Sequence, residues 1–484
     1  MGVRNLETLV SHGNVVGRQA VMEIIEAGLQ AADPYHNAHE LVRVEGDRLL
    51  VGNPAFDPLD APYDGTDVYP LSELGNIWVF GAGKGVQRAA QALEEILGDR
   101  LAGGHVIDKK GGDPAYLERI EVTLGSHPVP DEDCVRGSRR ILEMTRGLTA
   151  DDLVFTVGAS GFSSLLTLPA PGVSLEDVRR TVYMLQIERG MPTSDLSPIR
   201  NHVDILKGGR FAAHLSPARA IHLLAKEPRP WHELIYENTW VHSFPDCSTY
   251  ADAIEILKRW DAWEAVPQSV RANLLRADPA YETIKPAQYL EYPHRIFGMF
   301  HEEEGRWVTP RKRAQEMGYT PVLLATGLAV EAVHAGRFAA AIAKTIEKSG
   351  HPMGAPVALI TGGELLVTVG QQSGIGGRNQ EWALAAAQEI AGSRRIVMGA
   401  VDTDGTDGPG AQYTPGAEHI PTLAGGIVDG YTMSEAQERN VDLREALRRH
   451  DTTPALLALD SAILATQSTG LQDLGVILVM EDRA

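Results

Sequence analysis

The sequence predicts an α/β protein of two domains, a doubly wound, mainly parallel sheet at 1–350 and a smaller α/β domain at 351–484. Three observations lead there. Short apolar runs alternate with stretches of helical periodicity, the pattern of βα units whose sheet is covered on both faces. Turns rich in glycine and other small residues follow several of those runs, where α/β sheets gather ligands. Finally, 484 residues with 43% hydrophobic content suffice for two separate cores.

Taken in order, Asn14 to Ala32 sets Val15, Val16, Ala20, Val21, Ile24, Ile25 and Leu29 at helical spacing and stops at Asp33-Pro34. Glu40 to Val51 alternates around Glu45-Gly46-Asp47, a hairpin signal. Asn76 to Phe80 reads as a buried strand. It runs into Gly81-Ala82-Gly83-Lys84-Gly85 and a helix through Leu97, the opening of a nucleotide-type unit. Further strands are expected at Gly104 to Ile107, Ile120 to Leu124 and Leu153 to Val157, with an amphipathic helix over Asp131 to Arg146. A second small-residue turn, Gly158-Ala159-Ser160-Gly161-Phe162-Ser163-Ser164, ends the last of these strands. Leu175 to Glu188 is read as a helix, and Ile205 to Arg210 as a Gly/basic turn, Lys207-Gly208-Gly209-Arg210. Trp231 to Tyr250, dense in aromatic and histidine side chains, reads as an irregular lid-like segment, and Tyr250 to Leu275 as a helix. Pro321 to Thr326 is a strand, Glu331 to Ser349 a long helix, and Gly350 to Pro356 a linker into the second domain.

A net charge of −20 argues against nucleic-acid or anionic-membrane partners. In so acidic a chain, isolated Arg and Lys residues in glycine loops become the candidates for gripping an acidic metabolite. Cys134 and Cys247 lie in no close-set pair, so neither a disulfide framework nor a thiolate metal site is indicated. The N-terminus lacks a basic-then-apolar signal pattern, and Glu331, His334 and Arg337 break the apolar stretch from Leu323 to Ala343. A cytoplasmic location is the expectation. The expected partners are a small acidic metabolite and, at most, a second copy of the chain.

The stretch richest in chemistry is Thr361 to Glu381. It reads as two glycine turns, Thr361-Gly362-Gly363-Glu364 and Gly374-Ile375-Gly376-Gly377, around a short strand from Leu365 to Val369. The second turn delivers Arg378-Asn379-Gln380-Glu381 into a helix. Glycine backbone and a helix N-terminus both favour an anion, and a guanidinium there matches a carboxylate or phosphate with two bonds. A hairpin tip with a solvated arginine is the plainer alternative.

Several short matches accumulate along the chain. GAGKG lies at 81–85, SHPVPD at 126–131, RNHVDILKGGR at 200–210, TGGE at 361–364, GGRNQE at 376–381, DTDGTDGP at 402–409 and TGLQDLGVILV from Thr469. Together they resemble the glycerate 2-kinase family, with its N-terminal Rossmann-like domain and C-terminal MOFRL domain. The resemblance implies a phosphotransferase that uses ATP and Mg²⁺ on the hydroxyl of a small hydroxy acid, with the active site in the interdomain cleft. It places Lys84 and Arg378 there as essential cations, with Glu364 near the metal or the substrate hydroxyl. Lys207 and Arg210 would add phosphate or carboxylate binding, joined by Ser160, Ser163, His242 and Asn379. Gly81, Gly83, Gly362, Gly363, Gly376 and Gly377 would cradle the nucleotide. Asp402, Asp404 and Asp407 would hold Mg²⁺ directly or through water.

The departures from the family pattern fall in loops. Ala159 to Leu166 replaces a run richer in glycine, and Trp240-Val241-His242-Ser243 replaces an SGPT-like turn. Phe300-His301-Glu302-Glu303-Glu304 and a shortened Thr469 to Leu474 loop also differ, and Gly410 to Leu423 looks inserted. One explanation is a remodelled acceptor pocket, with a larger sugar acid stacking on Trp240 and Phe162. Another is a relative that has lost ATP use and acts on a hydroxy acid by acid–base chemistry through His242, His202 and Glu364, or with a metal at His242 and Asp246 or Glu237. A dehydrogenase is a further rival because GAGKG follows a strand and Asp108 ends the next one. However, the third glycine of that fingerprint is Val86. A non-catalytic acid-binding module remains the alternative outside enzymes.

Overall fold

The computed structural model describes residues 2–111, 116–300, 304–369, 374–466, 470 and 472–482, and the side chains of all of these except 304–306 and 412–413. The chain divides into two compact units, one Pro34–His301 and the other Met1–Asp33 together with Glu302–Ala484.

The Pro34–His301 unit is built on a six-stranded sheet, β1 (Ile77–Ala82), β2 (Leu101–Lys109), β3 (Ile120–Gly125), β4 (Leu153–Gly158), β5 (Arg219–Leu224) and β6 (His294–Gly298). Its order is β3-β2-β1-β4-β5-β6 and every pairing is parallel. All six residues of β4 are buried, as two-sided cover demands. The helix Val86–Leu97 and the helix Glu132–Met144, whose first turn is capped by Asp131 on the Cys134 N–H, supply part of that cover. The strand order reverses between β1 and β4, whose last residues Ala82 and Gly158 are register partners. Sheets of this order bind ligands at that reversal. Apolar runs in the sequence locate β1 to β4 but not β5 and β6, whose short runs RAIHLL and HRIFG are broken by histidine and arginine. The hairpin expected at Glu40 to Val51 is present as Val42–Glu45 against Arg48–Val51.

Two expected elements differ. Trp231–Tyr236 is a short helix, and the segment after it is no lid: Val241, His242 and Phe244 are buried. Asn238 folds that segment inward, donating to the carbonyls of Val241 and Pro245 and accepting from the Val241 N–H. The long helix from Tyr250 is two, Tyr250–Arg259 and Gln268–Arg276, separated where Asp261 adopts a φ of 50° and Pro267 starts the second.

The other unit carries a second six-stranded sheet, β7 (Thr320–Leu328), β8 (Val357–Gly363), β9 (Ile396–Asp402), β10 (Gly425–Asp429), β11 (Ala462–Ile463) and β12 (Asp473–Val479). Its order is β7-β8-β12-β9-β10-β11, with β7 parallel to β8 and the remaining pairs antiparallel. Strand alternation splits its core in two. Leu474, Val476 and Leu478 pack with the helix Val15–Ala31. Ile477 and Val479 pack with the helices Ala332–Ser349 and Arg378–Glu389. This pairing explains why the boundary expected at 350/351 differs from the observed division. β7 lies before that point and β8 after it, yet they share a parallel ladder. The strand expected at Leu365 to Val369 is instead irregular, touching Glu331 through one bridge at Leu366. Among the described residues no helix is long and apolar enough to cross a membrane.

The helices Ala332–Ser349 and Arg378–Glu389 meet at Gly336, where an added Cβ would lie 2.2 Å from the Trp382 carbonyl oxygen. Backbone cannot step aside as a side chain can. Gly336→Ala, which would stabilise an exposed helix, is therefore expected to lose about 1–3 kcal/mol of unfolding free energy in denaturant melts.

Candidate active site

Arg378 opens its helix directly after Gly377. Its guanidinium reaches the end of the mixed sheet, where Asp402, last residue of β9, and Asp473, first of β12, are register partners. Nε donates to both carboxylate oxygens of Asp473, at 2.8 and 2.9 Å, and Nη2 donates to Asp402 Oδ2 at 2.8 Å. Asn379 Nδ2 and the Leu365 N–H complete the hold on Asp473, at 2.7 and 2.8 Å. Arg378 is thus locked in one orientation with its side chain still 23% exposed. Burial opposes its charge, but Asp402 and Asp473 more than reverse that and its proton is held more tightly than usual. Glu364 reaches the same place, its Oε1 4.0 Å from Arg378 Nη1 on a largely exposed side chain.

The glycines around this cluster serve the chain's own packing. A Cβ on Gly377 would lie 2.3 Å from Asp407 Oδ2, and one on Gly376 would lie 2.6 Å from Thr452 Oγ1. Asp407 occupies the helix N-terminus, its Oδ1 accepting from the Asn379 N–H at 3.2 Å and its Oδ2 from the Gln380 N–H at 3.0 Å. The anion expected there from outside is therefore the protein's own carboxylate. Gly362 is bare because Trp307 stands 1.8 Å from where its Cβ would be, and Gly363, at a φ of 143°, abuts the Leu328 backbone. Packing within the chain accounts for both glycines.

The proposed metal set does not converge as it stands. Asp407 is spent on the helix, and Asp404 Oδ1 accepts the N–H and hydroxyl of Thr406, both at 2.7 Å, in an Asx-turn. Asp402 Oδ1 accepts the Asp404 N–H at 3.2 Å. Among the described residues no group of three or more His, Cys, Asp or Glu side chains is placed to hold a metal ion.

In the other unit the two small-residue turns meet at the sheet's reversal. A Cβ on Gly81 would lie 2.3 Å from the Val157 carbonyl, and one on Gly83, with φ 140°, would lie 2.7 Å from Ala159. Bare backbone lets β1 and β4 leave the sheet side by side. The Lys84 N–H donates to the Ser160 carbonyl at 2.8 Å. A Cβ on Gly161 would lie 3.0 Å from the His127 ring and 3.3 Å from Lys84 Cγ. Lys84, Ser160 and His127 therefore share one corner and are all half-buried. Asp108, the ribose-binding candidate of the dehydrogenase reading, is wholly buried and accepts the Gly85 N–H at 2.7 Å. It braces the turn instead of facing a ligand.

The Gly/basic turn corrects further expectations. Arg210 is buried and donates to the carbonyls of Tyr281, Asn201 and Asp204, so it ties loops together and reaches no phosphate. Lys207 is buried against Asp204 at 2.5 Å and Thr167 Oγ1 at 3.0 Å. His242 is 1% exposed, with Nε2 2.8 Å from Ser163 Oγ. Burial, with Lys207, Arg200 and Arg210 nearby, holds it well below its ordinary range and hence neutral. His202 is likewise buried, between the Pro198 carbonyl and Glu282. Asp246 is engaged with Asn201 and Ser248. His242, His202 and Asp246 are core polar contacts, so the acid–base reading keeps only Glu364 and the metal reading loses His242 and Asp246. Phe162, 1% exposed, and half-buried Trp240 both belong to the core. They present no stacking platform. His301, Glu302 and Glu303, like Thr469 and Leu471, lie outside the described residues.

Sequence reasoning passed over Asp473, the residue that fixes Arg378. One signal was available: a lone acid heading the otherwise apolar strand DLGVILV.

Residues 20–227 match the family described as Domain of unknown function (DUF4147), and residues 357–472 match the MOFRL family. Those matches and the sheets define the class: a two-unit α/β protein with a parallel and a mixed sheet. Over 96% of this chain and 97% of its own length, a glycerate 2-kinase of Pyrococcus horikoshii is 30% identical. A crystal structure of a glycerate kinase from Thermotoga maritima superposes with a TM-score of 0.70 at 28% identity, covering 96% of this chain and 99% of that one. An Agrobacterium vitis protein with a provisional hydroxypyruvate reductase name is 30% identical over 85% of this chain and 89% of its own. The chain belongs to the glycerate 2-kinase family and is a glycerate kinase-like enzyme.

Burial pushes the Asp473 carboxyl above its ordinary range, despite the pull of Arg378, with repulsion from Asp402 adding to it. A carboxyl pushed up in the folded state costs stability as pH rises, so folding stability should fall as pH rises from about 4 towards neutrality. Asp473→Asn should flatten part of that decline. Unfolding free energies of both proteins at either end of the window test this, and an unchanged slope would contradict it.

Proposed function

We propose that the protein transfers a phosphoryl group from ATP to a hydroxyl of D-glycerate or a close hydroxy acid. The observation that carries this reading is the fixed guanidinium of Arg378 at the sheet end, in a chain of the glycerate 2-kinase family. Phosphoryl transfer needs positioning and neutralised charge more than covalent help from the protein. Arg378 is preorganised for that because Asp402 and Asp473 hold it before any ligand arrives. Two carboxylates against one guanidinium leave the cluster negative, however. A polyphosphate would be repelled unless it came with a divalent cation, and this donor chemistry fits Mg²⁺. Mg²⁺ keeps most of its waters and takes only one or two carboxylates beside the phosphates, for which Asp402 and Asp404 are the candidates; it would supply charge neutralisation. By the family resemblance Lys84, at the sheet reversal of its own unit, is the second cation we propose for the reaction.

A reductase is the second reading, favoured by the β3-β2-β1-β4-β5-β6 order and the Agrobacterium vitis name. The burial of Asp108 within its own turn weighs against it.

With ATP, Mg²⁺ and D-glycerate, Arg378→Ala and Lys84→Ala should each lower turnover by about a hundredfold or more. Full rates in both variants would remove the assignment. Hydroxypyruvate with NADH or NADPH should give no change in absorbance at the nicotinamide band, whereas steady oxidation would favour the reductase.

A further inference from the structure

Three strand ends of the parallel sheet converge on one corner. Lys84 follows β1, the Ser126-His127-Pro128 turn follows β3, and Ser160-Gly161 follows β4. Gly161, at a φ of 85°, is where they meet. A Cβ there would lie 3.0 Å from Cδ2 and 3.4 Å from Nε2 of His127, and 3.3 Å from Lys84 Cγ. The imidazole and the lysine stem thus flank one bare point of backbone, at the strand reversal where sheets of this order take ligands. The turn that carries His127 is tied down. Ser164 Oγ donates to the Ser126 carbonyl at 3.0 Å, and Ser126 Oγ donates to Asp131 Oδ2 at 2.7 Å. Four other histidines of this unit, His105, His202, His222 and His242, are no more than 4% exposed. His127 is only half-buried. In phosphoryl transfer the attacking hydroxyl must give up its proton, and histidine is the side chain that most often takes one.

We propose that His127 is the catalytic base of the reaction. The O–H bond of the acceptor breaks as its proton passes to a ring nitrogen of His127. The freed electron pair forms the bond to the γ-phosphorus of ATP, and the bond from that phosphorus to the departing ADP oxygen breaks. The proton then leaves to water. This role rests on the proposed kinase function and adds to it a residue in the Lys84 corner.

The test is steady-state turnover of the full chain with ATP, Mg²⁺ and D-glycerate, wild type against His127→Gln and His127→Ala. His127→Gln should lower kcat by about a hundredfold or more and leave the KM for D-glycerate within about threefold. Added imidazole should restore at least a tenth of the lost rate to His127→Ala. An unchanged kcat in His127→Gln, or a raised KM with kcat intact, would overturn the base, the latter making His127 a binding contact. A fall in kcat that imidazole does not relieve would make it a brace for the corner and overturn the base as well. If neither variant folds, carbethoxylation of wild type mapped by mass spectrometry replaces them: activity should be lost in step with modification of His127, and full activity with His127 modified would overturn the proposal. Wild type without turnover would remove the kinase reading and this role together, whereas turnover that ignores His127 would remove only the role.

Discussion

One guanidinium set between two carboxylates ties the mixed sheet to the helix that covers it. Asp402 and Asp473 come from antiparallel neighbours, and only the observed register places them opposite each other. Arg378 reaches both because its helix starts beyond the same sheet end. Buried ions survive when their partners are well aligned, and breaking such a set costs more than it ever contributed. The Arg378 cluster is therefore a rigid feature with a fixed charge direction, the kind of preorganised electrostatics that charge-transferring chemistry uses.

Around that cluster, glycine lets the protein approach itself. Gly377 admits Asp407 to a helix N-terminus, and Gly362 admits the Trp307 ring to the sheet. A helix N-terminus attracts any anion, and the nearest one is often on the same chain. Burial pushes the Asp407 carboxyl up to about 6, against the pull of Arg378 and of the helix N–H groups it accepts. At the β1/β4 reversal, the glycines instead let two strand ends emerge together, and the corner they make carries Lys84, Ser160 and His127.

The polar residues under the Gly/basic turn follow the rule that buried polar groups find partners. Arg210, Lys207, His202 and His242 each have specific acceptors or donors within the unit. Arg200 differs in having a neutral partner, Gln186.

By itself the sequence determined what depends on local pattern. Helical periodicity ended at Asp33-Pro34 and the observed helix is Val15–Ala31, while apolar runs before glycine turns located β1 to β4. The ordered set of motifs also sufficed for the family. What it did not contain is which side chains meet across hundreds of residues. Lys207, Arg210 and His242 look alike in sequence whether they face a ligand or a carbonyl, and β5 and β6 are too short and too mixed to announce themselves. Arg378 and Asp473 are 95 residues apart, and their contact exists only once β12 pairs between β8 and β9. Tertiary structure decided that, because strand register and burial, both non-local, choose a charged side chain's partner.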